Sequence, residues 1–251
     1  MSKIVSIHSF RGGTGKSNTT ANLAALLAME GYRVGVVDTD IQSPGIHVLF
    51  GMDDSDMEHS LNDYLWGKCD IKDTAHDVTG RLGADMKGQL FLIPSSIKPG
   101  EIARILREGY DVGLLTDGFR DVVNAMDLDY LMIDTHPGLN EETLLSIAIS
   151  QVLVIIMRPD SQDYQGTAVT VDVARKLDVP KMLMVVNKTP SVLDIDDVRE
   201  RVEKSFSCEV ASVIPHSDEM MVLASSGIFS LRYPDNPVTR EYKAIVELVK
   251  A

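Results

Sequence analysis

The chain has 251 residues, 44% hydrophobic and 24% charged, enough for one large domain with a full core, with two small domains as the alternative. Its 24 Lys+Arg against 37 Asp+Glu give a formal charge of −13, which argues against a wide basic nucleic-acid surface and leaves room for a local patch. Cys69 and Cys208 are too few and too far apart for a disulfide framework or a four-thiolate metal site in one chain, and no apolar run nears the roughly 20 residues of a membrane span.

The chain starts directly into an apolar strand, Lys3 to Ser9, without a charged-then-apolar leader, so a soluble cytoplasmic protein is expected. A glycine-rich junction leads into a helix from Ser17 to Glu30, then a strand from Arg33 to Asp38. Residues 52–88 break the rhythm. They hold eight acidic side chains before Thr79 and the single tryptophan, Trp66, and read as a solvated helical excursion or as a docking surface anchored by Tyr64 and Trp66. Further strands are expected at Leu90 to Pro94, Tyr130 to Asp134, Val152 to Met157, Met182 to Asn187 and Val210 to Ile214. Helices are expected at Pro99 to Gly109, Glu141 to Ser150, Asp163 to Leu177, Asp194 to Ser205 and Val238 to Val249. The alternation predicts an α/β domain over residues 1–251. Strands as apolar as Val152 to Met157 must be covered on both faces, so the mostly parallel sheet is doubly wound, with helices on each side.

The strongest signal is Ser9-Phe10-Arg11-Gly12-Gly13-Thr14-Gly15-Lys16-Ser17 at the first βα junction. Gly12, Gly13 and Gly15 let backbone N–H groups curl around an anion, and the following helix aims its positive end at the same point. Lys16 can reach the outer phosphates, the Ser17 hydroxyl can ligate Mg²⁺, and Asn18 and Thr19 add polar groups to the first turn. Phe10 stands where the general P-loop pattern has glycine.

The string resembles the deviant Walker A box, xKGGxGK[ST], of the MinD/ParA ATPases, with Arg11 where that family has its signature lysine. The resemblance runs from Lys3 to about Val249 and implies the P-loop NTPase fold of that group. It also implies that the signature position crosses to the nucleotide of a second subunit in an ATP-bound homodimer. Either Arg11 makes that contact, or a distant cation such as Lys98 or Arg158 does and Arg11 is a local phosphate or loop contact.

Asp38 and Asp40, two apart at the end of the second strand, share one face and resemble switch I. Asp134, in Tyr130-Leu131-Met132-Ile133-Asp134-Thr135-His136-Pro137-Gly138, resembles Walker B running into switch II. Alternatively, Asp38 and Asp40 cap the segment after them. The resemblance makes Lys16, Asp40 and Arg11 catalytic. It gives the metal to Ser17, Asp38 and Asp134, and the nucleotide to residues 11–18 (Arg11, Gly12, Gly13, Thr14, Gly15, Lys16, Ser17, Asn18) with Asn187 and Pro215 at the base. His136 reads as a hydrogen-bonding loop residue rather than a base. Arg158 to Thr167 resembles the family's dimer face.

The implied activity is slow, Mg²⁺-dependent ATP hydrolysis that drives a dimer cycle, positions cargo and answers to an adaptor protein. The carboxysome-positioning McdA group, which lacks the signature lysine, comes to the fore because of Arg11. The tail from Val238 to Ala251 reads as a packing helix, which disfavours membrane attachment. Nucleoid DNA stays open through Arg175, Lys176, Lys181, Arg199, Arg201 and Lys204, each diluted by acidic neighbours. A metabolic enzyme on the same fold, and a scaffold that binds ATP without hydrolysing it, are the competing readings.

Overall fold

The computed structural model describes residues 2–251. The strands are β1 (Lys3–His8), β2 (Arg33–Asp38), β3 (His76–Asp77), β4 (Gln89–Ile93), β5 (Tyr130–Asp134), β6 (Val152–Met157), β7 (Lys181–Thr189) and β8 (Glu209–Pro215). They form one sheet in the order β3-β4-β2-β5-β1-β6-β7-β8, parallel throughout except for β3, which pairs antiparallel with β4 at the edge. The helices are α1 (Lys16–Glu30), α2 (Leu61–Leu65), α3 (Pro99–Glu108), α4 (Gly113–Ala125), α5 (Glu141–Ala148), α6 (Ser161–Lys176), α7 (Ile195–Phe206), α8 (Asp218–Leu223), α9 (Phe229–Arg232) and α10 (Pro237–Lys250).

Both faces of the sheet are covered, as the apolar strands require. On one face α1 and α10 bury Leu23, Leu27, Tyr242 and Ile245 against Val5, Val34, Val154 and Val185. The other face is shared. Phe119 and Val122 of α4 pack with Leu61 of α2 over Ile93, Leu131 and Ile133, while Val171 of α6 and Val202 of α7 pack over Ile155, Met184 and Val213. Strand β1 lies between β5 and β6, so the chain order reverses there, and the C-terminal ends at such a crevice are where open α/β sheets bind ligands.

The helical excursion expected across residues 52–88 is not formed. That stretch is a string of 3₁₀ turns broken by the five-residue α2 and the two-residue β3. Its carboxylates explain why. Asp56, Asp63 and Asp73 each accept from the backbone N–H three residues earlier, at Asp53, Ser60 and Asp70. Each of these three short turns is thus capped at its start, and left-handed Gly67 and Gly83 follow the turns that end at Leu65 and Leu82. The two aromatic residues offered as docking anchors are engaged within the chain. The Arg104 guanidinium lies 4.4 Å from the Trp66 ring centroid and Lys68 Nζ 4.8 Å from it, while the Tyr64 hydroxyl donates to the Leu114 carbonyl at 3.0 Å.

Helix α4 has no counterpart in the expected elements. It carries Gly113 and Gly118, and a Cβ on Gly118 would lie 2.7 Å from the Tyr64 ring. The packing that seats Tyr64 there overrides a poor local propensity.

Candidate nucleotide site

The loop between β1 and α1 wraps the mouth of a cleft of about 450 Å³ whose lining includes Gly12, Gly13, Lys16, Ser17, Asp40 and Pro137. Side chains cap the N-termini of α5, α6, α7, α8 and α10. Helix α1 has no side-chain cap: its N-cap is Gly15, with φ of +102°. Its first amides therefore face the cleft without a side-chain acceptor, an arrangement suited to an anion.

Gly15 is needed twice. Its backbone is left-handed, and a Cβ there would come within 2.4 Å of Asn187 Nδ2. That amide donates to the Thr14 carbonyl at 2.8 Å, tying the end of β7 to the loop. Gly15→Ala is expected to break this tie and to strain the helix start. MgATP affinity should fall by at least about tenfold on calorimetry, with a lower melting temperature.

The charges converge on one point. Asp38 and Asp134 are register partners at the ends of adjacent β2 and β5, 1% and 2% exposed. Burial drives both carboxyls upward, Asp134 to about 6, despite the Ser17 hydroxyl and Lys16 on Asp134. Asp40 is raised too, first by burial. Lys16, 8% exposed, is lowered by burial and held up by Asp134, Asp40 and Asp38. Three carboxylates facing one lysine form a cation-poor site, and this donor set fits Mg²⁺. Among the described residues no group of three or more His, Cys, Asp or Glu side chains forms a metal cage. Mg²⁺ characteristically takes one or two carboxylates plus phosphate oxygens rather than such a cage.

The structure brings most of the expected residues together. Asp38 also caps the next segment, as the alternative reading had it: its oxygens accept from Asp40 N at 3.0 Å and Gly45 N at 3.2 Å. Asp40 accepts from Ser43 N at 3.1 Å. His136 is a loop hydrogen-bonding residue. Its Nδ1 donates to the Pro137 carbonyl at 2.7 Å, leaving Nε2 3.7 Å from Asp40.

Arg11 turns away from the cleft. Its guanidinium pairs with Asp163 at 3.2 Å and Asp160 at 3.5 Å, both at the start of α6. Arg158 pairs with the same two carboxylates, so two of the three cations considered for a crossing contact are held within their own subunit. The third, Lys98, is an exposed residue at the N-cap of α3.

A second pocket of about 240 Å³ adjoins the cleft through Gly15, Asn18 and Lys188, with Asn187, Pro215 and Met220 among its walls. Both arms of Asn187 are engaged, Nδ2 with Thr14 and Oδ1 with the Lys188 amide at 2.8 Å, so it positions the loop. Sequence reasoning missed Lys188. An irregularity in the β7–β8 pairing and a left-handed φ of +56° bring its Nζ to the Gly13 carbonyl at 2.8 Å, on the rim of both pockets. Its place directly after Asn187 at a strand end was the available signal.

A family model described as an AAA domain matches residues 2–183. The chain belongs to that family. An uncharacterised ATP-binding protein of Methanocaldococcus jannaschii is 26% identical to this chain, over 99% of this chain and 86% of its own length. An iron-sulfur cluster carrier protein of Methanococcus maripaludis is 28% identical over the same shares. Among solved structures, the septum site-determining protein MinD of Pyrococcus horikoshii, complexed with Mg-ADP, superposes with a TM-score of 0.81 at 20% identity, covering 99% of this chain and 96% of that one. The fold of this AAA-domain protein is thus the MinD/ParA P-loop NTPase fold, in a family of nucleotide-hydrolysing domains.

Proposed function

We propose that this protein is a MgATP-dependent switch ATPase of the MinD/ParA kind, which pairs two copies when ATP is bound and positions a cargo. The observation that carries the reading is the uncapped N-terminus of α1 set against three carboxylates and one buried lysine. Mg²⁺, when bound, would neutralise the phosphate charge, with Ser17, Asp38 and Asp134 as its holders. The amides of residues 12–16 and Lys16 then orient the triphosphate, and Asp40, on the wall of the cleft, orients the attacking water. Pro215 and the residues around Asn187 enclose the base. Asp40 and His136 bring the two switch segments within 3.7 Å of each other at the cleft, where a γ-phosphate would meet both.

The iron-sulfur carrier relative raises a second reading. Clusters are held by cysteine thiolates. Here Cys69 follows α2, whose Leu61 and Leu65 share a core cluster with Phe91 of β4, whereas Cys208 packs with the cluster over β7 and β8 at the other end of the sheet, and burial raises both thiols. That distribution favours the switch over the carrier. DNA as the track is weakened because Arg175, Lys181 and Arg199 spend donors on the chain's own carbonyls. Membrane attachment through the tail is weakened because α10 buries its apolar face in the core, and no described helix is long and apolar enough to cross a membrane. Arg11 keeps a carboxysome cargo among the options.

The test is mass in solution. Light scattering should show a monomer with ADP and a dimer with ATP, and Asp40→Ala should hold the dimer by slowing hydrolysis by about 10²-fold or more. An unchanged mass with ATP, in a protein that binds it, removes the switch reading.

A further inference from the structure

Phe10 occupies the position that the general P-loop pattern gives to glycine, and its ring is seated in a notch on α6. A Cβ at Gly166 would lie 2.0 Å from the ring Cδ1 and 2.4 Å from Cγ. Gly166 is buried within a sixteen-residue helix, and its backbone needs no left-handed φ. Glycine at such a place costs about 1 kcal/mol relative to alanine. Helical geometry gives no reason for it, but the ring does.

Asp163 lies one turn earlier on the same face of α6 and is itself 2% exposed. It holds Arg11 at 3.2 Å. Two consecutive loop residues are therefore docked on one helix face, one by shape and one by charge, immediately before the amides that point into the cleft. Phe10 stays 37% exposed, so burial alone does not fix it, whereas the absence of a Cβ at Gly166 sets how closely the loop approaches.

We infer that Gly166 and Phe10 form a positioning pair for the nucleotide loop. The notch sets where the chain leaves β1, and with it the aim of the amides of residues 12–16 and of Lys16. This rests on the nucleotide-binding reading above, and deepens it by making α6 the platform of the loop.

The experiment is a cycle of four proteins, the native chain, F10A, G166A and F10A/G166A. Each is titrated with Mg²⁺ and a non-hydrolysable ATP analogue by calorimetry and melted in parallel. G166A is expected to weaken binding about tenfold, because the displaced ring drags the loop with it. In the F10A background the same substitution should change affinity by less than about twofold. Native-like affinity in G166A, or the same loss with and without Phe10, overturns the pairing. A merely structural role would lower the melting temperature and leave affinity unmoved. Should G166A alone fail to fold, the pairing predicts that F10A restores folding in the double variant, and continued misfolding of the double variant overturns it. Absence of binding by the native chain would instead remove the nucleotide reading, and this role with it.

Discussion

Lys16→Met is expected to abolish measurable MgATP binding and to lower kcat/KM by on the order of 10²–10³-fold. The substitution keeps most of the side-chain length and removes only the charge. In the native chain burial disfavours the ammonium, and Asp134, Asp40 and Asp38 hold it in place. Without that charge three carboxylates face an incoming polyanion with no fixed cation inside the cleft, since Arg11 is committed to α6. Lys188, on the rim, is tied to the Gly13 carbonyl at 2.8 Å. Calorimetry checks the binding and a phosphate-release assay the turnover. Retained affinity in K16M would mean that the cleft does not receive the phosphates.

Asp134→Asn should act in two opposite directions, lost activity and gained stability. Asp134 is 2% exposed, and burial pushes its carboxyl up to about 6, against 3.8 for an unhindered aspartate. The folded state holds the proton to higher pH than the unfolded chain does. Stability from this group is therefore complete below about pH 4 and lost as pH rises through about 6. An asparagine there is neutral over the whole range and can still meet Ser17 and Thr20. At pH 8 without magnesium the variant is expected to be more stable than the native chain by about 3 kcal/mol. In a chain of this size that corresponds to about 6–12 °C in Tm. Magnesium and ATP should close the gap by stabilising the native protein only. Thermal melts from pH 4 to pH 8, with and without Mg²⁺, are the measurement. A D134N protein that melts no higher than the native chain in EDTA would show that these carboxylates are not in tension.

Much of this was legible along the chain because it depends on neighbours in sequence. Strands β2, β5 and β6 begin and end where the apolar runs do. The loop at residues 10–17 announces itself because Gly13 and Gly15 must adopt left-handed backbone, which few other residues tolerate. Asp38, Asp40 and Asp134 were found because each follows an apolar strand, and the sheet order then makes Asp38 and Asp134 register partners. The region 52–88 was misread because its aspartates look like a solvated helical face. They are spent instead as backbone acceptors that start short turns, a role that depends on which amide each one meets.

By itself the sequence determined the alternating α/β plan, the doubly covered sheet and the residues able to meet a magnesium-bound phosphate. These follow from hydrophobic period and from backbone freedom, which are local properties. Only the tertiary structure decided the pairing of Arg11 with Asp160 and Asp163, the place of Lys188 beside Gly13, and the reason for glycine at positions 118 and 166. Each joins residues between 50 and 175 positions apart or leaves a space for a ring from elsewhere in the chain, and such fits exist only once the helices have packed on the sheet.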